Sequence, residues 1–203
     1  NSLGATLGEQ GKLEEAVVHY RQALTLQPAF PEVHNNLGNA LKEQGKLEEA
    51  VAQYRQALAL KPALVDAYNN LGNALKDQGK LEEAVAQYRQ ALALKPDYAE
   101  AMNNMGSALQ GQGKLEEGVA QYRQALALKP DYADAHSNLL FGLHYLPTYD
   151  SALLGALYRE WHEKYARHLA PKNVRRENRR ESERPLRVGY VSADFKRHPV
   201  GYF

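Results

Sequence analysis

The feature that most constrains the fold of this chain is an internal repeat of 34 residues. Proline, glycine and tyrosine each recur at this interval in successive copies. The copies are Pro28, Pro62, Pro96 and Pro130; Gly4, Gly38, Gly72 and Gly106; and Tyr20, Tyr54, Tyr88 and Tyr122. A repeat of this length is one supersecondary unit that buries its apolar face against its neighbours, so the core grows along a line. The period therefore predicts a stacked helical array.

The residues within one copy resemble the tetratricopeptide repeat (TPR), whose pattern has Leu-Gly, a later Ala, an aromatic residue four positions on and a closing Pro. Here these residues are Leu37, Gly38, Ala50, Tyr54 and Pro62. The fold class that we expect is all-α, a right-handed superhelical TPR solenoid over residues 1–146.

The repeat boundaries follow from the position of Pro31. Complete repeats are predicted at 31–64, 65–98 and 99–132, after a partial repeat that ends at Phe30, and a further first helix begins at Ala133.

Each repeat is predicted to contain two helices, A and B. Helix A ends at a glycine such as Gly45, because glycine readily adopts the left-handed conformation that closes a helix. Helix B begins at Leu47 and carries acids in its first turn, where the helix dipole favours them. Gly118 stands where the other B helices have Ala, and this exchange is predicted to cost about 1 kcal/mol.

A polar row recurs on helix A. Its asparagines are Asn36, Asn70, Asn104 and Asn138. Each follows an acid by four residues, which places the two side chains side by side on one helix face. These acids are Glu32, Asp66, Glu100 and Asp134. The same face continues three residues later at Asn39, Asn73 and Ser107.

Two interpretations of this row remain open. If helix A lines the concave side of the array, the amides form a ladder that donates to and accepts from an extended peptide backbone. The candidate binding residues are then the four asparagines with Asp66 and Asp134, and the partner is a protein or peptide in the groove. Alternatively, the asparagines hydrogen-bond between neighbouring helices or are polar because they face water.

Composition narrows the classes of function. The chain has no cysteine, which excludes disulfides and thiolate zinc sites and fits a cytoplasmic location. No apolar run approaches the roughly 18 residues that span a membrane, so no membrane contact is expected. Residues 1–146 contain 13 basic and 17 acidic residues, whereas residues 147–203 contain 12 and 7. The two parts of the chain are therefore different in character.

The repeat pattern ends after Asn138. Apolar residues at helical spacing from Leu154 onward predict an amphipathic helix, from about Asp150 to Leu169, that caps the array within residues 147–171. No metal site is expected, because Ala166 stands where the zincin pattern beginning at His162 would need its second histidine. Residues 172–185 mix basic and acidic side chains without an aromatic residue, which favours a solvated linker over nucleic-acid binding.

The chain closes with Leu186-Arg187-Val188-Gly189-Tyr190-Val191-Ser192, a predicted strand, and a loop that contains His198-Pro199. Together with the repeats and the segment Asp134–Leu140, residues 186–203 resemble the opening of the catalytic region of protein O-GlcNAc transferases, glycosyltransferase family 41, particularly bacterial homologues. This resemblance implies that an α/β domain of the GT-B type begins at residue 186.

The resemblance also implies an activity. It predicts inverting transfer of N-acetylglucosamine from UDP-GlcNAc to a Ser or Thr hydroxyl of a protein, without a metal or other cofactor. His198 matches the family's active-site histidine, either as a proton carrier or as a positioning group. The four helix A asparagines match those that hold acceptor backbone in the family.

The residues that would hold UDP belong mainly to a second lobe of that fold, so the 203-residue chain is expected to be inactive by itself. Its oligomeric state is left open, with a homodimer through the repeats as one arrangement. The alternative function is that of a non-enzymatic TPR scaffold for protein–protein interaction.

Overall fold

The structure is a computed structural model that describes residues 2–167. These residues form ten α-helices and a short π-helix, without a strand among them. The helices are α1 (Ser2–Glu9), α2 (Leu13–Leu26), α3 (Pro31–Glu43), α4 (Leu47–Leu60), α5 (Val65–Asp77), α6 (Leu81–Leu94), α7 (Ala99–Gly111), α8 (Leu115–Leu128), α9 (Ala133–His144), α10 (Ser151–Trp161) and the π-helix His162–Ala166. The predicted helical array is confirmed.

The helices alternate as A and B in the predicted register. Helices α3, α5, α7 and α9 are A helices and begin at the first position of each predicted repeat. Gly45, Gly79 and Gly113 have φ angles of 76°, 77° and 79°, the left-handed conformation predicted for the turn between A and B. Since an L residue with a side chain is strained there, glycine fixes where each hairpin turns.

Helices A and B of one repeat approach each other at a glycine. A Cβ atom built at Gly72 would lie 2.5 Å from Cε1 of Tyr88, and the same contact recurs between Gly38 and Tyr54 at 2.6 Å. These tyrosine rings are fully buried. The glycine therefore makes room for the tyrosine ring, and this pairing explains why both residues recur with the period of the repeat.

The third complete repeat is packed more closely at Gly118. A Cβ atom built there would lie 2.8 Å from the carbonyl oxygen of Gly106. The sequence predicted only a loss of helix propensity at this position, and that prediction is incomplete. Gly118 allows the backbones of α7 and α8 to approach, so replacement by Ala would require the two helices to move apart.

The last A helix is covered by α10. Leu154 of α10 is buried with Val119, Leu143 and Leu146, and Leu157 packs against this cluster. The Asp150 side chain accepts a hydrogen bond from the Leu153 N–H at 2.7 Å and so caps the start of α10. The predicted capping helix is thus present from Ser151, and it continues into the π-helix.

The end of the predicted capping segment, the linker at 172–185, the strand at 186–192 and His198 lie outside the described residues. Within residues 2–167, no helix is both long enough and apolar enough to cross a membrane.

Candidate functional site

The A helices line the inner side of the array. Each A helix contacts the next one directly, α3 with α5, α5 with α7 and α7 with α9. Between residues 2 and 167, no two successive B helices pack against each other to the same extent. Because elements of a curved array come closest on its inner side, the face where A helices meet is the concave one.

Two adjacent rows of asparagine cross this face. The inner row, Asn35, Asn69 and Asn103, is buried, with exposed fractions of 9%, 7% and 6%. The outer row contains the predicted binding residues Asn36, Asn70, Asn104 and Asn138, which are half-buried.

Hydrogen bonds join the two rows from one repeat to the next. Nδ2 of Asn70 donates to Oδ1 of Asn35 at 3.1 Å. Nδ2 of Asn104 donates to Oδ1 of Asn69 at 3.0 Å. Nδ2 of Asn138 donates to Oδ1 of Asn103 at 2.9 Å. Asn36 also has an interaction partner. We call this the asparagine ladder.

The asparagine ladder bears on the two interpretations that the sequence left open, peptide binding and hydrogen bonding between neighbouring helices. The interpretation that these asparagines bond between neighbouring helices is confirmed for one N–H of Asn70, Asn104 and Asn138. A side-chain amide has two N–H donors and an acceptor oxygen. The second N–H and the oxygen of each outer-row amide take no part in the bond to the inner row. That bond nevertheless restricts the orientation of the amide plane.

The inner row was not singled out in the sequence as functional. The signal was present, because Asn-Asn occurs as a pair at 35–36, 69–70 and 103–104. Ser137 replaces the inner asparagine in α9, and its hydroxyl bonds to the Ala133 carbonyl of its own helix. Since residues 2–167 include no A helix after α9, an acceptor at position 137 would have no outer-row donor.

The prediction that the polar face continues through Asn39, Asn73 and Ser107 is only partly right. The hydroxyl groups of Tyr54 and Tyr88 donate to Oδ1 of Asn39 and Asn73, at 2.8 and 2.7 Å. Burial raises the pKa of both tyrosines well above the ordinary value. Asn39 and Asn73 therefore act as hydrogen-bond acceptors for the buried tyrosines.

In the third repeat the buried tyrosine has a different acceptor. Ser107 replaces the asparagine, and the Tyr122 hydroxyl donates to Oε1 of Gln110 at 3.0 Å. Gln110 thus takes over the structural task at this position.

The acids of helix A have structural partners in the complete repeats. Lys61 bonds to Glu32 at 2.7 Å and Lys129 bonds to Glu100 at 3.1 Å. The hydrogen bond from Lys61 is the main cause that lowers the pKa of Glu32. Burial acts to raise the pKa of Glu100, but its bonds to Lys129 and to its own backbone lower it overall.

Of the two predicted binding acids, Asp66 accepts a hydrogen bond from the Tyr98 hydroxyl at 3.1 Å. Asp134 is exposed at the start of α9. The structure therefore places Asp66 in the contact between repeats and leaves Asp134 on the surface of the last A helix.

The helix A histidines have packing roles. His34 hydrogen-bonds through its ring nitrogens with the Gln53 side chain at 2.8 Å and the Pro28 carbonyl at 3.0 Å. Nδ1 of His136 lies 3.0 Å from the Tyr165 hydroxyl, and burial lowers the pKa of His136. No cluster of His, Asp and Glu in the described part of the chain could hold a metal ion.

A surface depression of about 500 Å³ lies at the turns between A and B helices, away from the asparagines. Its lining residues are Gly11, Lys12, Leu13, Glu14, Glu15, Gln44 and Lys46. The two lysines are balanced by two glutamates, so the depression offers no net charge to a ligand. The asparagine ladder remains the candidate site.

Comparison with known families identifies the repeat, and the first three matches begin 34 residues apart. The TPR repeat family matches residues 4–45, 38–79, 72–113 and 111–139, which together span more than half of the chain. The chain belongs to the tetratricopeptide repeat family. No curated protein matches it significantly.

Solved TPR structures share the fold. The structure of MamA 41-end from Desulfovibrio magneticus RS-1 is 23% identical with a TM-score of 0.71, over 80% of this chain and 90% of that chain. YrrB, described as a TPR protein with an unusual peptide-binding site, is 21% identical with a TM-score of 0.65, over 83% of this chain and 86% of YrrB.

A third similar structure contains a ligand. The first TPR of Spaghetti (RPAP3), bound to the HSP90 peptide SRMEEVD, is 27% identical with a TM-score of 0.55, over 56% of this chain and 90% of that one. At these identities the structures show a common fold for the helical array.

Proposed function

We propose that the TPR array binds an extended protein segment on its concave face, with the backbone of that segment hydrogen-bonded to the outer-row amides. The observation that supports this most is the asparagine ladder, which presents the same half-buried amide in successive repeats. The similar TPR structures of YrrB and Spaghetti are described as peptide-binding, which supports the same use of the fold.

The spacing of the ladder suits an extended chain. Packed helices lie roughly 10 Å apart, so four successive amides span roughly 30 Å. An extended backbone advances about 3.3 Å per residue, so a segment of about ten residues covers the ladder. Each amide can both donate and accept, which suits backbone recognition independent of side chains.

We further propose that this segment is the acceptor of a protein O-GlcNAc transferase. The support is the resemblance of residues 186–203, with His198, to the opening of that catalytic region. In this proposal the array delivers a Ser or Thr hydroxyl, UDP-GlcNAc supplies the sugar, and His198 acts as proton carrier or positioning group.

A non-enzymatic scaffold is the alternative, and the asparagine ladder suits it equally well. The coding sequence after Phe203 distinguishes the two. A long continuation of α/β character would support the transferase, whereas a stop codon would support the scaffold.

The binding proposal is tested with a paired variant, Asn69→Ala with Asn104→Ala. Removing both partners of one ladder bond avoids leaving a buried acceptor without its donor, which would cost about 1–3 kcal/mol. The probe is a fluorescein-labelled peptide of about twelve residues made only of Ser, Thr and Ala, the plain peptide, long enough to span the ladder. We expect its affinity to fall about fivefold, equivalent to one hydrogen bond of about 1 kcal/mol, in a fluorescence anisotropy titration.

The matched control is Asn69→Ala alone, which removes the buried acceptor but keeps the outer-row amide of Asn104. It should weaken the plain peptide less than the paired variant does, because the outer-row amide remains in place. Replacing Asn70, Asn104 and Asn138 together by Ala would instead leave the buried inner-row acceptors without donors, so that variant is expected to melt at a lower temperature. Unaltered affinity in the paired variant would refute the binding role of the ladder.

A further inference from the structure

Three apolar residues of the last A helix, Leu140, Phe141 and Tyr145, replace polar or small residues of the inner A helices, and burial explains only Leu140. Leu140 replaces the recurring glycine and is buried, and Ala156 stands where the tyrosine that faces this glycine in the inner repeats would recur. Phe141 and Tyr145 also replace polar or small residues, but they remain 50% and 56% exposed. Burial in the array therefore does not account for these two aromatic side chains.

The two rings and His144 form a cluster on the surface of α9. The Phe141 and Tyr145 ring centroids are 5.1 Å apart at an interplanar angle of 68°. The His144 and Tyr145 centroids are 5.7 Å apart at 85°. Such edge-to-face contacts hold the rings in place while their outer faces stay open. We call Phe141, His144 and Tyr145 the aromatic cluster.

The aromatic cluster continues the face that carries the asparagine ladder. Phe141 follows Asn138 by three residues and Tyr145 follows Phe141 by four, so all three lie on one side of α9. The equivalent residues in the inner repeats are Asn39 and Glu43, Asn73 and Asp77, and Ser107 and Gly111. The groove thus changes from charged to neutral to aromatic along the array.

Asp134 lies on the other side of Asn138 and, within residues 2–167, forms no ion pair of the kind that Glu32 and Glu100 form. Glu32 and Glu100 each pair with a lysine 29 residues later in the sequence. The residue 29 positions after Asp134 is Glu163. Asp134 is exposed, so a cation from a bound partner can approach it.

We propose that this end of the groove selects a basic residue next to a bulky apolar residue in the bound segment. The aromatic cluster holds the apolar side chain, and Asp134 pairs with the basic one. This inference rests on the proposed function, because it takes the segment to be extended along the outer-row amides.

The geometry of an extended chain gives the order of the two residues. Successive side chains of an extended backbone point to opposite sides. With the backbone over Asn138, one side chain is directed toward the aromatic cluster and its neighbour toward Asp134. Residues 1–146 carry more acidic than basic groups, 17 against 13, which also favours a basic partner.

The test compares the plain peptide with an anchor peptide in which Lys-Phe replaces two central residues. For the wild-type chain, we expect the anchor peptide to bind about tenfold more tightly, since a buried aromatic anchor with a paired charge dominates small interfaces. The variant Phe141→Ser with Tyr145→Gly copies the residues of the third repeat and adds no charge. This variant should lose most of the preference for the anchor peptide and should bind the plain peptide with unchanged affinity. The variant Asp134→Asn should lose only the part of the preference that decreases as the salt concentration rises.

The control variant is Leu94→Ala, which removes another exposed apolar side chain, on a B helix. It should leave both affinities unchanged. Equal affinity of the wild-type chain for the two peptides, absence of measurable binding included, would overturn the inference. An unchanged preference for the anchor peptide in the Phe141→Ser, Tyr145→Gly variant would also overturn it. A lower oligomeric mass of this variant, without a change in peptide binding, would overturn it too, because the aromatic cluster would then contact a second copy of the chain. Failure of the proposed function appears separately, as unaltered plain-peptide affinity in the Asn69→Ala, Asn104→Ala variant.

Discussion

The inner A helices and the last A helix, α9, carry different residues at positions that are otherwise repeated. An inner A helix has a glycine beneath a buried tyrosine and an inner-row asparagine that accepts from the next repeat. In α9 these residues are Leu140 and Ser137. Leu140 fills space that a tyrosine ring takes in the inner repeats, and Ser137 bonds within its own helix.

This difference distinguishes residues that recur because of packing between repeats from residues that recur for another reason. If a recurring residue is replaced in the repeat where its packing partner is absent, then its recurrence in the other repeats is explained by that partner. The glycine and the inner-row asparagine meet this criterion. The criterion does not apply to the outer-row asparagine, because Asn138 keeps its ladder partner, Asn103 of the preceding repeat.

The largest difference in stability between the inner A helices and α9 is expected at the glycine positions. We expect Gly72→Ala to destabilise the array by about 3 kcal/mol, because the new methyl group would lie 2.5 Å from a ring carbon of the buried Tyr88. The control is Gly142→Ala in α9, where the nearest atom is a Val119 methyl group at 3.0 Å and the inner repeats already have Ala. This second variant should be neutral or slightly stabilising, since Ala favours helix. Urea unfolding measures both, and equal losses would contradict the proposed difference between the two positions.

A smaller effect is expected at the cap of the array. Leu154→Ala should reduce stability by about 2 kcal/mol, because Leu154 is 9% exposed and packs on the apolar end of α8 and α9. In a repeat array the loss should be local, so hydrogen exchange should quicken in α8 and α9 and stay unchanged in α3 and α4. Leu153→Ala, which changes a neighbour that is 46% exposed, serves as control. Uniformly faster exchange along the whole array would contradict a purely local cap.

The sequence predicted the repeat register and the turns, because both depend on residues close in the chain. Gly45 requires a left-handed conformation wherever it occurs, and Pro31 marks a helix start by its fixed backbone angle. The capping helix was predictable for the same reason, since its apolar residues recur at helical spacing. These features needed no knowledge of contacts between repeats.

The candidate site was less predictable, because its roles are set by contacts between distant residues. The bond from Asn104 to Asn69 joins residues 35 apart, and no pattern within one repeat shows which of two adjacent asparagines is buried. The close backbone approach at Gly118 and the partners of Asn39 and Asp66 are likewise properties of packing. For the same reason, the exposure of Phe141 could be recognised only once the end of the array was known.

In the proposed complex, the outer-row amides contact the backbone of the bound segment. Side-chain amide signals of asparagine and glutamine in a ¹⁵N-correlated NMR spectrum test it directly, with the plain peptide as titrant. The account predicts that the NH₂ signals of Asn70, Asn104 and Asn138 shift as the peptide saturates, while that of Gln90, exposed on the B helix α6, stays in place. Peptide binding with unmoved asparagine signals, or with shifts confined to the B helices, would contradict it.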